Sequence, residues 1–126
     1  MRSLIAGLMM TSATLPAFAQ GEMTPDVAIA AARNQLGVLE YCKENGYIDE
    51  TAVTTQTRIL EMMPPVTDET MVEAAYEKGK AGTVSAMGME QTLEAAATAQ
   101  STDEAALCTQ MAALLEQAAA QLPPAE

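Results

Sequence analysis

Histidine and tryptophan are absent from this chain, and phenylalanine occurs once. Without histidine, the usual general base at neutral pH and the usual zinc partner of cysteine are both missing. No phosphate-binding glycine loop and no nucleophile elbow is present either. A hydrolase, oxidoreductase or transferase of familiar type is therefore not expected, and no cofactor is implied. Basic side chains are scarce too: six Lys and Arg stand against seventeen Asp and Glu, a formal charge of −11. Such a surface repels nucleic acid and anionic headgroups and favours basic partners. Apart from the first twenty positions, no apolar run approaches the ~20 residues that a membrane span needs.

Those first positions are set apart by composition. Arg2, the apolar stretch LIAGLMM (residues 4–10) and the small-x-small pattern Ala17-Phe18-Ala19 have the layout of a secretory signal peptide. Cleavage after Ala19 is expected, which exports the chain to the periplasm or beyond the cell. Residues 20–126 then form one domain, with residues 123–126 as a flexible tail. Losing Arg2 leaves five basic side chains against seventeen acidic ones, a formal charge of −12.

There are two cysteines, Cys42 and Cys108. In an exported chain, a disulfide between them is expected. The alternative, two free thiols, leaves them without a base or a metal partner.

What the chain has in plenty is alanine, and no region alternates with a period of two. This is a helical composition, and we expect an all-α bundle of four to five helices. Thr24, Pro25 and Asp26 mark the start of the first helix, and Asn45-Gly46 its stop, with Tyr47 and Ile48 folding back. Cys42 faces inward near its end. Asp49 caps a second helix that runs to Pro64-Pro65, and a third begins at Thr67 or Asp68. Gly79 and Gly82 predict a break, followed by a helix over about 83–99. Ser101 with Glu104 has the Ser-x-x-Glu spacing of a capping box. It opens a last helix whose stripe, Leu107, Cys108, Met111, Leu114, Leu115, Ala118 and Leu122, ends at Pro123-Pro124. The disulfide would join the first and last helices side by side and antiparallel.

Three patterns have functional alternatives. The small residues Ala75, Gly79, Gly82 and Ala86 would let helices approach closely, in lipid or in a packed hairpin, and their charged flanks favour the hairpin. Met87 and Met89 are the only metal candidates, two thioethers suited to Cu(I), although core filling accounts better for a methionine-rich chain. The carboxylate pairs Asp49-Glu50, Asp68-Glu69 and Asp103-Glu104 sit where helices begin, so the helix dipole explains them without catalysis.

The segments AARNQLGVLEYC (31–42), GTVSAMG (82–88) and ALC (106–108), behind a signal peptide, resemble a group of small exported alphaproteobacterial proteins. Proteins of that group are labelled pore-forming members of the early secretory antigenic target (ESAT-type) family. The resemblance implies a secreted, non-enzymatic helical protein that perturbs membranes or contacts a host, with a protein or membrane partner and self-association as options. A second resemblance is to periplasmic acid-stress chaperones, which are likewise helical, signal-bearing and tied by one disulfide. It implies a bundle that loosens and exposes its Met- and Leu-rich faces when acid protonates its carboxylates.

Overall fold

The computed structural model describes residues 24–86 and 88–123, so the expected signal peptide and nearly all of the expected tail lie outside the described residues. Five helices and one hairpin follow in order: α1 (Pro25–Glu44), α2 (Thr51–Glu61), α3 (Glu69–Lys80), β1 (Thr83–Ala86), β2 (Met89–Thr92), α4 (Leu93–Ala99) and α5 (Glu104–Ala119).

The first helix has the limits its sequence implies. The Thr24 hydroxyl accepts from the Val27 N–H at 3.4 Å, and Pro25 occupies the first turn. At the other end Gly46 takes φ +77, the left-handed conformation that releases a chain from a helix. The Gly46 and Tyr47 N–H groups then return to the carbonyls of Lys43 and Cys42 at 2.9 and 3.0 Å. This returns Tyr47 and Ile48 to the core, where both pack against the buried disulfide cluster.

α1 is the centre of the fold, and its main partner is α3. The two helices cross at glycine. A Cβ on Gly37 would stand against the Tyr76 carbonyl oxygen and 2.8 Å from the Lys80 nitrogen. One on Gly79 would stand against the Asn34 carbonyl oxygen and 2.8 Å from the Val38 nitrogen. Backbone meets backbone here, and no side chain fits between. Of the expected row of small residues, only Ala75 and Gly79 serve this contact. Gly82 (φ +88) turns the chain out of α3, and Ala86 is exposed on β1.

The expected helix over 83–99 is corrected to a hairpin followed by a short helix. Gly82 and Gly88 (φ +80) both adopt left-handed conformations, which a helix excludes. Between them Thr83 pairs with Thr92 and Ala86 with Met89, antiparallel. Thr92 ends the hairpin and caps α4, its hydroxyl accepting from the Ala95 N–H at 3.1 Å. The fold is thus mostly helical rather than all-α.

The expected capping box is also corrected. Ser101 has φ +55 and terminates α4, while Thr102 N–H returns to the Ala97 carbonyl at 2.9 Å. Asp103 is the cap of α5, accepting from the Ala106 N–H at 2.8 Å. Cys108 therefore lies little more than one turn inside α5. At α2, likewise, the capping position falls to Glu50, while the Asp49 carboxylate accepts from the Thr51 N–H at 2.9 Å.

Cys42 and Cys108 are bonded, with Cα atoms 5.8 Å apart and both side chains fully buried. Around them Val38, Leu93, Ala97 and Leu107 form one core cluster; Leu39, Ala52 and Leu115 form a second, with Met111 touching both. The bridge does not make α1 and α5 an extensive pair, because α5 rests on α2 and α4 as well. Its stripe is buried only in part. Leu107 packs beside Leu93 and Ala97, but Leu114, seven residues on and at nearly the same azimuth, is 65% exposed. α4 has seven residues, about 10 Å of helix, and covers only the start of α5.

Candidate functional site

A concavity of about 720 Å³ lies between α1, the α2–α3 connection and α3. Its apolar surface comes from Ile29 on α1, Leu60 on α2, Val72 on α3 and the connecting residues Pro64, Pro65 and Val66. Two successive prolines give that wall a fixed, extended backbone with no N–H to donate.

Asp26 fastens the wall to the start of α1. Its carboxylate accepts from the backbone N–H groups of Thr67 and Asp68, each at 3.0 Å, and from the Thr67 hydroxyl. These bonds, the hydroxyl first, hold the Asp26 carboxyl below its ordinary pKa of 3.8. The sequence marks Asp26 only as a favourable charge in a first turn. Its reach across 41 positions to Thr67 leaves no local signal.

Glu69, Glu73 and Glu77 stand on the α3 side of the groove, all exposed, at successive four-residue steps of about 6 Å. Arg33 faces them from α1 as the one cation lining the groove. It lies 3.9 Å from Glu73, and its guanidinium stacks 4.9 Å from the centre of the Tyr76 ring. Tyr76 is buried enough, and bonded closely enough to Glu40, to push its phenol up to about 12. The Lys80 ammonium lies 3.4 Å from Glu77 and 5.0 Å from the centre of the same ring. The rim therefore carries three carboxylates against two tethered cations, and Glu69 is the one without an ion pair among the described residues.

Two buried amides hold the scaffold behind the groove. Asn34, 2% exposed, donates to the carbonyls of Ala75 (2.9 Å) and Thr83 (3.0 Å) and accepts from the Ser85 N–H (2.9 Å). Thr83 and Ser85 are alternate residues, and these groups leave β1 on the side away from β2. One side-chain amide thus takes the place of a third strand. Gln56, also buried, donates to the Ala32 carbonyl at 2.9 Å and ties α2 to α1. Sequence patterning treats both as polar interruptions of helices, since their partners are remote.

The sequence candidates fall in different places. Cys42 and Cys108 come together as a closed structural bridge. Met89 is 78% exposed on β2, and Met87 lies outside the described residues. Core filling, expected for the methionines, holds for Met111 but fails for Met89 and Met62 (55% exposed). Both strand faces of β2 are open, so nothing there can bury a thioether. Among the described residues no group of three or more His, Cys, Asp or Glu is arranged to hold a metal ion. The carboxylate pairs sit at helix starts, Asp68 and Asp103 as capping residues. Glu104 has a further role, accepting the Tyr41 hydroxyl at 3.1 Å beside the disulfide. Burial and that bond raise the Tyr41 pKa.

The arrangement defines a class, a disulfide-tied helical scaffold carrying an apolar groove with an acidic rim. Compared with known proteins, the chain matches no family model, no curated protein and no solved structure.

Proposed function

We propose that this is an exported, non-enzymatic protein that works by binding a partner protein through the groove between α1 and α3. The observation that carries the reading is the combination of an apolar floor with a one-sided acidic rim. The floor favours an apolar surface, and the rim selects a basic one and disfavours anionic lipid. A buried disulfide fits an oxidising compartment such as the periplasm or the exterior. The ESAT-type resemblance implies either partner binding or membrane perturbation. Of these, the groove supports the former, and among the described residues no helix is long and apolar enough to cross a membrane.

Dye release from lipid vesicles, neutral and anionic, tests this reading at pH 7 and pH 4. Intact vesicles are expected throughout. Leakage at neutral pH would overturn the binding-protein reading in favour of a pore-forming one.

A second reading, a chaperone-like role in acid, draws support from the carboxylates that join separate elements. Asp26 to Thr67, Glu104 to Tyr41 and Glu40 to Tyr76 all connect parts of the chain far apart in sequence. Of these, Asp26 has its pKa lowered by its bonds to Thr67, so acid strong enough to protonate it weakens that joint while the disulfide stays. Protection of an acid-denatured client from aggregation at about pH 3 tests it; no protection removes it.

A further inference from the structure

We infer that the groove receives an amphipathic helix of the partner protein, with Lys or Arg spaced four residues apart along one edge. This rests on the binding-protein reading above and names its ligand. The argument is one of matching periods. Glu69, Glu73 and Glu77 repeat every four residues on α3, about 6 Å apart. A helix laid alongside, carrying cations at the same period, meets Glu69 directly and shares the exposed Glu73 and Glu77 with Arg33 and Lys80, whereas a single cation meets one carboxylate.

The apolar half of the match comes from the floor. Ile29 and Val72 are buried at its base, 3% and 5% exposed, and Val66 and Leu60 are half-buried beside them. Such a trough takes the i, i+3, i+4, i+7 anchors of a helix laid in a groove. The walls are already fixed: Asp26 holds the proline segment, and the Gly37–Gly79 crossing sets the distance between α1 and α3. A preformed trough spares the partner the cost of opening it. Arg33 is an opposing charge on this rim, already engaged by the protein itself. Stacked on Tyr76 and paired with Glu73, it sits on the α1 side, where an acidic ligand would need to displace the Glu73 contact.

The test uses the secreted chain with its disulfide intact and a labelled synthetic helix of about 18 residues, leucine on one face and lysine every fourth position along one edge. Fluorescence anisotropy at low and high salt measures binding. Saturable binding that weakens as salt rises is expected, and a glutamate-for-lysine peptide should not bind. Replacing Glu69, Glu73 and Glu77 together by Gln should weaken binding roughly tenfold. Glu44→Gln, at the far end of α1, should leave it unchanged. Thr70→Tyr, an exposed substitution inside the groove, should block binding with the circular dichroism spectrum unaltered, so that loss is not confused with unfolding. Equal affinity of the triple variant, of the glutamate peptide, or of a proline-broken lysine peptide overturns the inference. No binding of the lysine peptide by a chain that leaves vesicles intact removes this ligand and leaves the broader reading standing. Vesicle leakage at neutral pH removes both.

Discussion

Adding one methyl group at the α1–α3 crossing should separate the two helices. In Gly37→Ala, the new carbon stands against the Tyr76 carbonyl oxygen, with the Lys80 nitrogen at 2.8 Å and the Gly79 carbonyl carbon at 3.0 Å. All three are backbone atoms, so no rotamer change relieves the contact and α3 must move as a unit. Alanine favours a helix over glycine by about 1 kcal/mol, which works against the effect. Overpacking in a tight core costs about 1–3 kcal/mol, and a backbone obstacle belongs at the upper end. The net expectation is a loss of about 2 kcal/mol, or a Tm lower by about 8–16 °C for a domain of this size. Thermal and urea unfolding with the disulfide intact would measure it. Gly79→Ala should behave alike, and the double variant should lose less than the sum, since the first methyl already opens the crossing for the second. If either variant is as stable as the parent, or more so, helix propensity outweighs the contact and the close approach described above is wrong.

Four further outcomes follow from other parts of the fold. Asn34→Leu leaves the Ala75 and Thr83 carbonyls and the Ser85 N–H without partners, and should cost about 2–4 kcal/mol in urea unfolding with early amide exchange in the hairpin. The Asp26 carboxyl has a depressed pKa, so its contribution is complete above 3.8 and is lost as the pH falls below that value. Asp26→Asn should accordingly flatten the acid side of the stability curve, and an unchanged curve would refute the role given to Asp26. Tyr76 acts with the opposite sign: its raised value stabilises the fold below pH 10, and that contribution fades as pH rises towards about 12. An ultraviolet titration should show one tyrosine ionising near that pH, and this late component should be missing in Tyr76→Phe. Cys42→Ser with Cys108→Ser opens a loop between residues 66 positions apart and should cost about 4 kcal/mol.

The parts of this fold that could be read in advance are those with local causes. The limits of α1 depend on Thr24, Pro25 and Gly46, all of which act within one turn. The stop after α3 depends on glycines in the same way, and the disulfide on there being two cysteines behind a segment laid out like a signal peptide. The hairpin was illegible because its cause is remote. Four-residue strands are too short to show a period, and the amide that completes β1 comes from Asn34, 49 positions before Thr83. Ser101 misled for a related reason: the same residue type can open a helix or close one, and here a return bond to Ala97 decides. The groove is joint property of α1, a proline wall and α3, and it appears only after Asp26 has brought Thr67 back to the start of α1. Glu69, Glu73 and Glu77 were visible as charges, but nothing in their spacing says that they border a trough.

The disulfide also governs what a protease can do to this protein. Every loop from the α1 exit at Asn45 to the turn before α5 lies between Cys42 and Cys108. A single cut in the proline segment, in the hairpin turn or after α4 therefore cannot release a fragment. The severed pieces remain one covalent molecule, held face to face by the contacts that α1 makes with α3 and α5. The chain can be nicked once and still be recovered whole until a reductant reaches a bridge that is buried from solvent.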